Sequence, residues 1–199
     1  MPKQVDHEQR RRQIAEALLR LAGSGGVEAV TLRDVAAEAG ISMGSVQHYF
    51  RGKEQMLHFA VQHVNDRAAA RVRARLDADP GGGSARTAVR AVLVEMLALS
   101  PESREEYLVS VAFFLRALAE PDLAALYRRW WPQLEEWIVE LLGAAQRSGE
   151  IGPDRDLAKE ARILLAVPDG LSVGLLLGHH SPEGSVELLD YALDRLFES

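Results

Sequence analysis

Hydroxyls, an amide, an imidazole, a phenol and basic groups crowd into residues 31–53, TLRDVAAEAGISMGSVQHYFRGK. The Gln47 amide sets a donor beside an acceptor, the pair that matches the adenine edge in a DNA major groove about 12 Å wide. Lys53 falls at the start of a further helix, where its ammonium and nearby backbone N–H groups suit a phosphate. Hydrogen bonding to a nucleic acid is the chemistry these groups offer.

Such groups need a frame, and the same stretch predicts two short helices. Thr31 with Asp34 three residues on satisfies orphan donors at a helix start near Leu32. Leu32, Val35, Ala36 and Ala39 share one face; Arg33, Asp34 and Glu38 share the other. Gly40 permits the left-handed conformation that ends a helix. Ser42 then caps a second helix from Met43 to about Tyr49, whose Val46 and Phe50 pack back on Val35, Ala36 and Ile41. Met43, Gly44, Ser45, Gln47, His48 and, near the end, Tyr49 are left facing outward. A plain helical hairpin shares the Ala-Gly-Ile-Ser turn, but the following His-Tyr-Phe and Gly-Lys-Glu favour a DNA reader.

With Ala-Gly-Ile-Ser at 39–42, His-Tyr-Phe at 48–50 and Lys-Glu-Gln-Met-Leu at 53–57, the region from about residue 10 to 60 resembles the DNA-binding domain of TetR-family transcriptional regulators. The resemblance implies that Thr31 and Arg33 meet phosphates, that Ser42 to His48 face the groove, and that Tyr49 and Lys53 clamp the backbone. Many members carry Tyr where Gln47 stands and His where Tyr49 stands, so base preference is expected to be this chain's own. The implied fold class is all-α. A three-helix helix-turn-helix domain, 1–53, joins a helical ligand-binding and dimerisation domain, 54–199, with about nine helices in all.

Net charge is −6 over 199 residues, which opposes DNA only if it is evenly spread. It is not: residues 1–75 hold 12 Lys and Arg against 8 Asp and Glu, while residues 76–199 hold 11 against 21. A basic head on an acidic body orients approach to a polyanion. The absence of Cys excludes a disulfide framework and a thiolate metal site. Met1 to Arg12 lacks an apolar signal region, and the apolar run 163–178 is interrupted by Pro168 and Asp169, so no membrane span and a cytoplasmic location are expected.

His7 to Leu21 read as an amphipathic helix burying Ile14, Ala17, Leu18 and Leu21. Arg10, Arg11 and Arg12 crowd its start, where cations oppose the helix dipole, so a phosphate contact is expected from among them, with Arg12 the candidate. A long helix from Lys53 to about Leu76 joins head to body, so that a shift of its far end moves the reader. A loop at 79–83 precedes helices at 87–99, 101–119, 121–148, 156–178 and 182–197.

Pro132 and Pro168 should kink or break their helices. Around them gather Tyr107, Phe113, Phe114, Tyr127 and Trp131, expected walls of a small-molecule pocket with Asp169 as polar anchor. Gly170, Gly174 and Gly178 recur every four residues and read as a close-approach face. With Leu171, Leu175, Leu188, Leu189, Ala192, Leu193 and Leu196 they form the expected interface of an isologous dimer. Its two heads would stand about 34–36 Å apart, one DNA turn.

His179 and His180, with Asp169 and Glu183 nearby, are the best case for an enzyme. Adjacent helical residues point about 100° apart and no third ligand has metal-site spacing, so no catalytic residue, metal or cofactor is expected. The expectation is a homodimeric regulator, a repressor of a palindromic double-stranded operator released by a small-molecule effector. A helical protein-interaction module and a metal-dependent enzyme are the alternatives.

Overall fold

Hydroxyls begin several helices of this chain and glycines end several of them. The computed structural model describes residues 7–78 and 83–197, with nine α-helices and no strand among them. They are α1 (His7–Gly25), α2 (Leu32–Glu38), α3 (Met43–Tyr49), α4 (Lys53–Asp77), α5 (Ala85–Glu95), α6 (Pro101–Ala119), α7 (Pro121–Ser148), α8 (Leu157–Leu176) and α9 (Pro182–Phe197). A single 3-10 turn, Val27–Ala29, separates α1 from α2. Residues 79–82 of the expected loop lie outside the described residues.

Local chemistry explains where the boundaries differ from expectation. α5 starts at Ala85, earlier than 87, because the Ser84 hydroxyl accepts from the Thr87 N–H at 3.2 Å. It stops at Glu95, short of 99, where the backbone tightens into turns from Leu93 to Leu99. Pro132 and Pro168 lie inside α7 and α8, which run through them unbroken. The lost hydrogen bond at each is therefore outweighed by burial of the rest of the helix.

The described residues up to Arg67, together with Arg104–Ala124, make one compact unit; Ala68–Ser103 and the residues from Ala125 onward make a second. The expected division stood at 53/54. By packing, the first unit includes the start of α4, where Met56, Leu57, Ala60 and Val64 are buried, and most of α6.

In the first unit α1, α2 and α3 close over Ile14, Leu18, Val35, Ala36, Val46 and Phe50. In the second, α5, α8 and α9 pack on a core that includes Val89, Leu93, Ile138, Leu142, Leu165, Leu189 and Leu193. Arg90 grips Asp190 with two parallel bonds of 2.6 and 2.9 Å, and Arg86 bonds Asp194, so charge fixes the register of α5 on α9. The Arg90 bonds hold the Asp190 carboxyl below the usual carboxylate range. Fully buried Ser172 ties α8 to the turn after α5, accepting from the Ala98 N–H (3.2 Å) and donating to the Met96 carbonyl (3.3 Å).

Candidate nucleic-acid interface

The angle between α2 and α3 is built from three hydrogen-bonded devices. Thr31 and Asp34 form a reciprocal cap: the Thr31 N–H donates to Asp34 Oδ2 at 2.8 Å, and the Asp34 N–H donates back to Thr31 Oγ1 at 3.3 Å. The Thr31 side-chain and backbone bonds hold the Asp34 carboxyl below the usual carboxylate range. At the other end of α2, Gly40 adopts φ +66°, with its N–H on the Ala37 carbonyl and the Ile41 N–H on the Ala36 carbonyl. These two bonds close the helix in a Schellman turn. Ser42 Oγ then accepts from the Ser45 N–H at 3.1 Å and starts α3. Gln13 braces the turn from α1, its amide donating to the Ala39 carbonyl at 2.7 Å.

These devices aim α3. Val46 and Phe50 are fully buried, while Ser42, Met43, Gly44, Gln47 and His48 are exposed and Ser45 and Tyr49 half-buried. A Cβ built on Gly44 would come no closer than 3.9 Å to any neighbour, the Ser42 hydroxyl, so nothing inside the chain demands glycine there. Arg33 is exposed on α2. Thr31 is exposed too, but its hydroxyl both accepts from and donates to Asp34, so its side chain is committed to the cap.

The arginine triplet divides into three roles. Arg10 donates to Gln13 at 2.7 Å. Arg11 lies 4.2 Å over the Phe59 ring and 5.5 Å over Phe50, a cation–π support for the α3 anchor. Arg12 is exposed, and among the described residues no side-chain partner is recorded for it. His7 brings its ring within 5.5 Å of Tyr49 and 6.3 Å of His48, adding α1 to the outer end of α3. Lys53 is not standing free at the start of α4: its ammonium donates to the Glu28 carbonyl at 2.7 Å and lies 3.7 Å from the Glu28 carboxylate. Sequence spacing had no signal for the Gln13, His7 or Glu28 contacts, which join residues from separate elements.

A family model for the bacterial regulatory proteins of the tetR family matches residues 14–59, and a second, for the C-terminal part of BetI-type transcriptional repressors, matches residues 85–198. The chain belongs to the TetR family of transcriptional regulators. The HTH-type transcriptional regulator PksA of Bacillus subtilis (strain 168) is 32% identical over 179 residues, spanning 89% of this chain and 83% of PksA. A TetR-family regulator from Rhodococcus sp. superposes with TM-score 0.82 at 27% identity, covering 95% of this chain and 99% of that one. A transcriptional regulator from Saccharomonospora viridis, solved in complex with choline, gives TM-score 0.82 at 25% identity over 94% of this chain and 96% of its own.

The expected pocket residues divide between the two units. Tyr107, Phe113 and Phe114 belong to the first unit, with Phe113 buried and Phe114 exposed. Tyr127, Trp131 and Asp169 belong to the second. There the Tyr127 and Trp131 rings stack at 5.6 Å, and Trp130 meets both edge-on at 6.4 and 5.8 Å. Asp169 is exposed on α8, yet its carboxyl is partly desolvated by its surroundings, which pushes it up; burial, then the field of Asp169, raises the Tyr127 phenol.

The three glycines of the expected close-approach face have different surroundings. Gly178, at φ +74°, is the Schellman terminator of α8, its N–H on Leu175 and that of His179 on Gly174. Gly174 is buried beneath the His180 ring of its own chain, which a Cβ would strike. Gly170 and Gly178 both have open space around them, and only Gly174 is closed off. Leu171, Leu189, Leu193 and Leu196 are likewise not outer surface: they are buried in the core of the second unit. Leu175 and Ala192 are half-buried, and Leu188 is exposed. The apolar groups that do face out are Ile163 and Val173 on α8, Leu177 at its C-terminal cap, and Leu188 and Tyr191 on α9. Ile163, Ala166, Gly170, Val173 and Leu177 follow a 3-4-3-4 spacing, a packing seam that the outward charges Arg162 and Asp169 obscure in the sequence.

No group of three or more metal-ligating side chains occurs among the described residues. No described helix is long and apolar enough to cross a membrane.

Proposed function

We propose that this TetR-family regulator is a homodimeric repressor that holds a palindromic operator with two copies of α3 and is released by a small-molecule effector. The observation that carries the DNA half is Gly44. It stands on an exposed helix with no internal need for glycine, flanked by Ser42, Met43, Ser45, Gln47 and His48, and suits a surface that must approach another one closely. Arg12, Arg33, Tyr49 and Lys53 surround that edge in the role of phosphate contacts.

Dimerisation is supported by the exposed α8–α9 seam, since a run of Ile163, Val173, Leu177, Leu188 and Tyr191 left in water is costly unless covered. The effector is an organic cation: the Tyr127, Trp130 and Trp131 faces attract positive charge, and the Asp169 carboxylate complements it. The choline held by the Saccharomonospora viridis relative belongs to that chemical class.

Selection of genomic fragments by the purified full chain tests the operator. A recovered inverted repeat with half-sites about one helical turn apart supports the proposal. Recovery of no sequence above background at low salt refutes it. Addition of choline, or of its uncharged carbon isostere 3,3-dimethylbutan-1-ol, to the bound operator tests the effector. Release by the cation alone is the expected result; release by both alike refutes a cationic effector.

A further inference from the structure

One guanidinium in the first unit serves two masters. Arg116, on the last turn of α6 and only 19% exposed, donates from Nη2 to Glu54 on the first turn of α4 at 3.1 Å. The same nitrogen donates to Glu120 at 2.8 Å, and Nε adds a second bond to Glu120 at 3.0 Å. Glu120 is the single residue between α6 and α7, its N–H on the Arg116 carbonyl and its carbonyl accepting from the Ala124 N–H. Glu54 adjoins Lys53, whose ammonium rests on Glu28, and Glu28 also lies within the electrostatic reach of Arg116. Two sets of charges thus adjoin at the start of α4: Lys53 on Glu28, and Arg116 on Glu54 and Glu120.

We propose that Arg116 is a positioning residue for DNA binding: shared between Glu54 and the α6–α7 junction, it fixes the first turn of α4 and so sets where Lys53 stands. This rests on Lys53 as a phosphate contact. Without the guanidinium, Glu54 and Glu120 lose the cation that pairs them, and the added negative field at the first turn of α4 draws Lys53 inward and away from a phosphate. Because one nitrogen serves both carboxylates, a turn of the α6–α7 junction that takes Glu120 away changes the hold on Glu54.

The test uses the full chain and a fluorescent mixed-sequence duplex of about 30 base pairs at about 50 mM salt, where phosphate contacts dominate binding. Arg116→Gln is expected to weaken binding roughly fivefold, the scale of a partly exposed charge pair. Arg116→Gln with Glu54→Gln should return to within about twofold of the parent, since the carboxylate competing for Lys53 is gone. A purely structural role predicts the opposite, because the double variant lacks the same α4–α6 bond as the single one. Parent-like binding by Arg116→Gln, or a double variant no better than the single, overturns the proposal. Lys53→Ala separates the two levels. If it binds as the parent does, the phosphate role of Lys53 fails and the proposal with it; if it weakens binding while Arg116→Gln does not, Arg116 alone is refuted.

Discussion

Gly44→Ala should make the protein more stable and a poorer DNA binder, and the two effects have separate physical sources. Gly44 lies inside α3, away from the positive-φ glycines of the chain, and the nearest atom to an added methyl is the Ser42 hydroxyl at 3.9 Å. That is ordinary contact, so the native state accepts the methyl without strain. The unfolded chain loses freedom, and stability rises by about 0.4–1 kcal/mol. Against DNA the same methyl has no such room. Inserted into a close-packed surface, it costs about 1–3 kcal/mol, or roughly 5- to 150-fold in affinity.

Thermal unfolding and anisotropy with the selected operator measure the two quantities on one sample. Gly40→Ala is the control. At φ +66° an L side chain costs about 1–2 kcal/mol, so stability and DNA binding fall together. Gly44→Ala alone should separate them. If it gains stability and binds operator within twofold of the parent, the glycine is not pressed against DNA and α3 does not dock by this edge.

The other predictions concern the second unit and the α1–α4 contact. Leu188→Glu, on the exposed seam, should give folded monomers by sedimentation; Leu189→Ala, one residue on but fully buried, should lose about 2–5 kcal/mol of stability. Asp169→Asn should raise the apo melting temperature at pH 7 while weakening choline binding. The folded carboxyl titrates above its ordinary 3.8, so the stability it favours is present at low pH and lost as pH rises through the raised value. His58 has the opposite sign: burial and then Arg11 depress it below its ordinary 6.5, so its share of stability is full above that value and lost as pH falls. His58→Gln should flatten the acid limb of a melting-temperature profile, and an unchanged slope below pH 6.5 refutes this.

Legibility in the sequence followed the range of the forces involved. The caps at Thr31 and Ser42 and the turn at Gly40 are bonds between residues three to five apart, so spacing alone predicts them, and the helix-turn-helix with them. The long-range contacts carried no such mark: Gln13 on the Ala39 carbonyl, Lys53 on Glu28 and Arg116 on Glu54 each join different elements. Nor does a repeat disclose its use. Gly170, Gly174 and Gly178 are evenly spaced, yet one is closed off by His180, and of the two in open space one ends the helix. Leu188 and Leu189 are chemically identical neighbours, and the 100° between them puts one in water and the other in the core. Which face of a helix turns inward is decided by its neighbours. On α8 and α9, where both faces are apolar, a monomer core and an exposed seam are written in the same residues, and only packing tells them apart.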